Sequence, residues 1–236
     1  MSQLFMVELR PDPRRLMRFL YGQRLGSGND GDFGYGIHAW LRAAFADLAP
    51  QPWRLLDGRG MPGRILAYSR HDAEALRLQL QGFADPLTFE ACPPQAIAGK
   101  PLPAWRAGQR LGFEVLCCPV GRKSATGIEK DLFLVHADSG GEIQRDQVYC
   151  DWARARLERD GAAEVTELRL EGFRLVRQLR KSHGQRRKKS ALLRPQALIR
   201  GSLTVADPDA FTGLLARGVG RHRAFGYGMV LVKPPA

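Results

Sequence analysis

The apolar and polar positions of this 236-residue chain follow two rhythms. Near the N-terminus, Leu4, Phe5, Met6, Val7, Glu8 and Leu9 predict a strand. After a loop rich in Gly and Asp, Gly26 to Gly34, the period lengthens. Ile37, Trp40, Leu41, Ala44, Phe45 and Leu48 recur at i, i+3, i+4, i+7, i+8 and i+11, the apolar stripe of an amphipathic helix over Gly36 to Leu48. Short strands are expected at Trp53 to Leu56 and Arg64 to Tyr68, on either side of a glycine- and proline-bearing turn. Asp72 can cap the N-terminus of a helix running to about Gln81, because a short carboxylate satisfies free backbone N–H groups there. Leu87 to Cys92 reads as the closing strand.

The same order returns further along. Arg110 to Cys118 reads as a strand, Tyr149 to Glu158 as a helix, and Glu164 to Leu179 and Leu198 to Val205 as strands. Asp207 and Pro208 start a helix to Arg217, and Met229 to Val232 closes the unit. Between the halves, residues 93–108 carry Pro93, Pro94, Pro101 and Pro103 and read as a linker. The expected fold class is α+β: two tandem ferredoxin-like (RRM-like, βαββαβ) domains over residues 1–92 and 109–236.

Charge adds a partner class to this picture. The net charge is +12, and residues 169–200 hold most of the surplus, with eleven Lys or Arg against the single acid Glu171. A localised surplus points to a polyanion more strongly than a uniformly basic surface does. Phe173 to Arg177 and Ala197 to Val205 are strand-like, so the tract forms a hairpin whose arm, Arg180 to Lys189, is basic. Arg174, Arg177, Arg180, Lys181, Arg186, Arg187, Lys188 and Lys189 are the candidate RNA contacts on it. The arm is poor in aromatic residues, which favours phosphate and shape recognition of an A-form stem over base stacking.

Other classes are set aside. Cys92, Cys117, Cys118 and Cys150 have no paired spacing for a zinc site or a disulfide framework, no His/Cys/Asp/Glu cluster has metal spacing, and no Walker-type loop is present. No metal or other cofactor is expected. No apolar run reaches the roughly 20 residues needed to cross a bilayer, and the N-terminus opens directly into a strand, so a cytoplasmic protein without a membrane partner is expected.

Off the apolar stripe of the first helix, Tyr35, His38 and Arg42 share the accessible side at i, i+3 and i+7. Imidazole exchanges protons near neutrality, a phenol can orient a hydroxyl, and a guanidinium can stabilise charge growing on phosphate. These groups suffice in principle for metal-free RNA cleavage through the 2′-hydroxyl, although an ordinary exposed helix face has the same spacing. The remaining histidines read differently: His71 as exposed beside a helix start, His136 as structural, and His183 and His222 as RNA contacts. Near the C-terminus, Gly218, Gly220, Gly226 and Gly228 alternate with Arg217, Arg221 and Arg223, a segment that can bring backbone close to phosphate. Gly220, Arg221 and Arg223 are candidate phosphate contacts.

Together these features resemble the CasE family, the repeat-RNA endoribonucleases of type I-E CRISPR systems. The likeness rests on the tandem architecture, on Tyr35 and His38, and on the segment Gly218 to Met229, which is similar to the family's glycine-rich loop. It extends to the strand Val115 to Cys118 followed by Pro119 with Arg122 and Lys123, further RNA contacts by this resemblance, and to a helix carrying Trp152. The resemblance implies that His38 is the general acid/base and Tyr35 its partner near the 2′-hydroxyl. It implies cleavage of CRISPR repeat RNA at the 3′ base of a hairpin without metal, a 2′,3′-cyclic phosphate product, and retention of the mature guide RNA for the protein subunits of Cascade. Some relatives have a lysine where this chain has Ala43; the neighbouring cation is Arg42. The alternatives are a non-catalytic RNA-hairpin-binding subunit, a processing nuclease of another CRISPR type, and an interaction protein with an acidic partner.

Overall fold

A computed structural model describes residues 3–25, 33–58, 61–122, 129–138, 143–181 and 189–235, with backbone alone at 57–58, 61–62, 122, 178–181 and 189–191. The first half contains β1 (Phe5–Leu9), α1 (Pro13–Gly22), α2 (Gly34–Phe45), β2 (Trp53–Gly58), β3 (Met61–Ser69), α3 (Ala73–Phe83), α4 (Pro86–Ala91) and β4 (Ile97–Pro101). Its antiparallel sheet has the order β2-β3-β1-β4. The second half contains β5 (Arg110–Cys117), β6 (Val120–Arg122), β7 (Glu129–Asp131), α5 (Leu132–Ala137), α6 (Arg145–Leu157), β8 (Ala163–Lys181), β9 (Lys189–Val205), α7 (Pro208–Arg217) and β10 (Val230–Lys233). Its main sheet has the order β10-β5-β9-β8, and β6 pairs with β7 as a small separate ribbon. Ranked by position within each unit, both four-stranded sheets have the order 4-1-3-2, so the α+β reading with two ferredoxin-like units holds.

The expected closing strand at Leu87 to Cys92 is a helix instead. Asp85 accepts hydrogen bonds from the backbone N–H groups of Leu87 and Thr88, and Pro86 occupies the first turn, where its missing N–H costs nothing. The strand that closes the first sheet is β4, which lies inside the stretch 93–108 read as a linker. It pairs antiparallel with β1 from Leu9 opposite Ile97 to Phe5 opposite Pro101. Pro101 is tolerated because β4 is an edge strand and Pro101 its last residue. The ordered first unit therefore extends to Pro101.

Helix α1 was not anticipated. Asp12 caps it by accepting from the Arg15 N–H, Pro13 starts it, and Leu16, Phe19 and Leu20 bury its inner face. Helix α2 starts two residues before the expected boundary, and a 3-10 turn, Ala46–Leu48, replaces its predicted last residues. Its buried face is the predicted one, with Ile37, Trp40, Leu41, Ala44 and Phe45 inside. β8 and β9 form the predicted hairpin, but its paired part is longer than expected: β9 begins at Lys189 rather than near Ala197, and pairing runs from Ala163 opposite Val205 out to Lys181 opposite Lys189.

The halves are joined by buried polar contacts. Tyr68 donates its hydroxyl to the Val230 carbonyl at 2.7 Å, and Arg54 meets Glu114 at 2.7 Å with both side chains mostly buried. Burial alone would raise the Glu114 carboxyl. Hydrogen bonds and charge from Arg200 and Arg54 outweigh that and hold it below its ordinary value. These links fix the second sheet against the first unit and so set where α2 faces the C-terminal segment.

Candidate active site

Tyr35 and His38 reach the site from α2, and the second half supplies Phe225. Gly218, Gly220, Gly226 and Gly228 all have positive φ, and Arg223–Phe225 forms a 3-10 turn between them. All four glycines are fixed by close packing as well as by φ. A Cβ on Gly220 would lie 2.8 Å from the Trp152 ring, and one on Gly226 would lie 2.9 Å from the Trp53 ring. Trp53 also donates its indole N–H to the Ala224 carbonyl at 3.0 Å, tying the turn to β2.

Held this way, Phe225 touches three further rings. His38 meets it edge-on with centroids 5.4 Å apart, Tyr35 stacks on it at 5.9 Å, and His222 lies tilted at 6.0 Å. Such pairs add orientation as well as apolar burial. His38 is half-buried. Burial first, and the charge of Arg42 second, hold its imidazole below the ordinary value of 6.5, so the neutral form dominates at pH 7. Arg42 lies one turn further along α2, where its guanidinium is engaged by Asp47 at 3.1 Å.

Behind the turn, the Glu129 carboxylate gathers three partners: Arg194 at 3.0 Å, Arg221 at 2.9 Å and His222 at 2.9 Å. Arg194 is buried, and a second donor on it reaches the Glu129 carbonyl at 3.2 Å. Burial pushes the Glu129 carboxyl up, but the surrounding His222, Arg194 and Arg221 overcome this and hold it low. Burial pushes the His222 imidazole down, outweighing the pull of Glu129. Glu129, Arg194, Arg221, His222, Arg223 and Phe225 line a cavity of about 540 Å³.

The predicted residues thus separate into groups. Tyr35, His38 and Arg42 share one face of α2. Gly220, Arg221 and Arg223 lie together on the turn, but Arg221 is committed on one side to Glu129, with about half of its side chain exposed, and Arg223 donates to the Arg217 carbonyl. Arg174 and Arg177 are exposed on β8, Arg174 bonded to Gln196. Arg122, Arg180, Lys181 and Lys189 lie on strands described by backbone alone. Lys123, Arg186, Arg187, Lys188, His183 and the loop 26–32 lie outside the described residues.

His222, expected to touch RNA, is instead a mostly buried partner of Glu129. His136 bonds the Leu132 carbonyl through Nδ1 at 2.8 Å. Sequence reasoning passed over Phe225 and Glu129. An aromatic residue among glycines was the available signal for the first; an acid 93 positions from its histidine gave none for the second. Among the described residues, no group of three or more His, Cys, Asp or Glu side chains could hold a metal ion, and no helix is long and apolar enough to cross a membrane.

This architecture has known counterparts. The sequence profile of a family described as CRISPR associated protein matches residues 4–234. The chain belongs to this family, within its CasE branch. It is similar to the CRISPR-associated endoribonuclease Cse3 of Thermus thermophilus, with 31% identity over 192 residues, 77% of this chain and 79% of that protein. In structure it is similar to Thermus thermophilus Cse3 bound to an RNA representing a pre-cleavage complex (TM-score 0.63, 24% identity, 98% of this chain and 100% of that one). A chain of a CRISPR RNA-guided surveillance complex also matches (TM-score 0.60, 15% identity, 98% of this chain and 100% of that one). The structural likenesses establish the fold.

Proposed function

We propose that this protein is a metal-independent endoribonuclease that binds a CRISPR repeat hairpin and cuts precursor RNA at the 3′ base of the stem. The observation that carries the proposal is His38. It is a half-buried imidazole, neutral near pH 7, held edge-on to Phe225 beside the Tyr35 phenol, in a chain 31% identical to an endoribonuclease. In the reaction the 2′-oxygen bonds to the adjacent phosphorus and the bond from phosphorus to the 5′-oxygen breaks. His38 takes the 2′-hydroxyl proton, Tyr35 orients the reacting hydroxyl, and the imidazolium so formed returns the proton, directly or through a water molecule, to the departing 5′-oxygen. Arg42, if it leaves Asp47, or a basic side chain of the turn meets the charge growing on phosphate. The products are a 2′,3′-cyclic phosphate and a 5′-hydroxyl. The protein keeps the hairpin product and carries it into a Cascade-type complex, a partnership supported by the surveillance-complex chain of the same fold.

The test is cleavage of a labelled repeat hairpin with and without EDTA, followed by analysis of the new 3′ end. Unchanged rates in EDTA, a cyclic phosphate terminus and no cleavage of RNA carrying a 2′-deoxy at the attacking position are expected. An open 3′-hydroxyl product, or loss of activity in EDTA, would overturn the mechanism.

The histidine also sets a pH dependence. A base must be neutral to accept a proton, so the rate falls as pH drops through the His38 pKa. That value lies below the ordinary imidazole value of 6.5, so the acid limb of the single-turnover rate is expected below pH 6.5. A limb at or above 6.5 would assign the limiting titration to another group.

A further inference from the structure

Helix α1 presents a second basic surface. Its buried residues Leu16, Phe19 and Leu20 fix its orientation, and on a period of 3.6 residues Arg14, Arg18 and Tyr21 fall on the opposite side, with Arg15 on the flank. All four are exposed, Tyr21 to 62%. Among the described residues, the guanidinium groups of Arg14, Arg15 and Arg18 have no ion-pair partner, in contrast to Arg42, Arg54, Arg194 and Arg221. The Asp12 carboxylate at the start of the helix is occupied by the Arg15 backbone N–H. Packing of α1 does not use these cations, and the helix gains no capping from them, since they stand in its first two turns, where positive charge opposes the helix dipole.

The surroundings of α1 identify what the face can serve. Leu20 packs against Gly36 of α2 so closely that a Cβ there would lie 2.7 Å from the leucine, and Gly36 sits between Tyr35 and Ile37, within a turn of His38. Helix α2 also packs against β8 and the Arg223–Phe225 turn. The proposed active-site helix therefore touches both an element of the basic hairpin, β8, and the basic helix α1. A stem held along the hairpin would deliver its scissile phosphate to α2, and the RNA continuing past that phosphate would run towards α1.

We infer that the outer face of α1, with Arg14, Arg15, Arg18 and Tyr21, binds the single-stranded RNA that flanks the hairpin on the 3′ side of the cleaved bond. This rests on the proposed endoribonuclease reading of the His38 site. Three arginines without an ion-pair partner among the described residues complement the phosphates of a flexible strand, and an exposed phenol beside them offers a stacking surface for an unpaired base, which an acidic protein patch would not require.

The experiment compares two labelled RNAs: the repeat hairpin ending at the cleavage site, and the same hairpin with ten further uridines on its 3′ side. Both carry a 2′-deoxy at the attacking nucleotide so that binding alone is read. For the wild type, the extension is expected to tighten binding about tenfold at low salt. It should also steepen the salt dependence, by about 0.7 in slope for each phosphate neutralised on a single strand, roughly two for three arginines. The triple variant Arg14→Ala, Arg15→Ala, Arg18→Ala is expected to lose both gains and keep wild-type affinity for the short hairpin. Tyr21→Ala is expected to lose part of the gain without changing the salt slope. An extension that adds nothing to wild-type binding overturns the inference, as does a triple variant that retains the full gain or loses the two RNAs equally. Cleavage of the extended hairpin in all-ribose form by wild type and triple variant keeps the outcomes apart. Cutting by both with no effect of the extension defeats the α1 inference alone, whereas no cutting by the wild type defeats the reading of the His38 site.

Discussion

Replacement of His38 by alanine is expected to slow single-turnover cleavage of a repeat hairpin by about 10²- to 10⁴-fold, the range associated with a positioned acid/base group. Binding of the same hairpin should be nearly unchanged, because the loss falls on an interaction made in the transition state. The variant should remain folded. His38 is only half-buried, and its edge-on contact with Phe225 contributes about 0.5–1.5 kcal/mol, small beside the 5–15 kcal/mol typical of a domain. Rapid-quench cleavage and a filter-binding assay on one preparation would separate the two effects. Cleavage at the wild-type rate would remove His38 from the mechanism. Absence of cleavage by the wild type itself would favour a non-catalytic hairpin-binding subunit.

The second large effect is expected on stability. Glu129→Ala removes the carboxylate that Arg194, Arg221 and His222 share. Arg221 is about half exposed and can turn to water, but Arg194 is 7% exposed and would be left as an uncompensated buried cation. Breaking such a pair by deleting one partner costs about 3–5 kcal/mol. Urea unfolding should register a fall of that size, with Glu129→Gln intermediate because it keeps hydrogen bonding without the charge. The acid dependence has a defined sign. The folded carboxyl lies below its ordinary value of 4.5, so the stabilisation is complete above that value and is lost as pH falls through the folded pKa. A Glu129→Ala protein as stable as the wild type would mean that Arg194 finds water or another partner.

Much of the fold was legible in the chain because its strongest signals are local. The stripe from Ile37 to Phe45 could face only a core, and the alternation from Phe5 to Leu9 could form only a half-buried strand; both do so. Asp207 and Pro208 marked the start of α7 to the residue. The errors arose where short-range signals conflict. Leu87 to Cys92 is too short for periodicity to separate strand from helix, and the arbiter was the Asp85 cap with Pro86. Ile97 to Pro101 looked like a linker because two of its five residues are Gly and Pro, yet a place at the sheet edge beside β1 accepts both. The accessible face of α2 that carries Tyr35, His38 and Arg42 was similarly legible from spacing. Its completion by Phe225, and the gathering of cations by Glu129, depend on contacts between distant segments that no local window contains.

The contact between His38 and Phe225 has a consequence for the order in which the protein becomes able to act. Roughly 190 residues separate the two rings, and ribosomes add about 5–20 residues each second, with N-terminal domains folding first. Helix α2 therefore leaves the ribosome some ten to forty seconds before the aromatic ring that orients its histidine. During that interval a nascent chain has the imidazole without its aromatic partner, so on the proposed reading cleavage waits until the second unit has been made and docked.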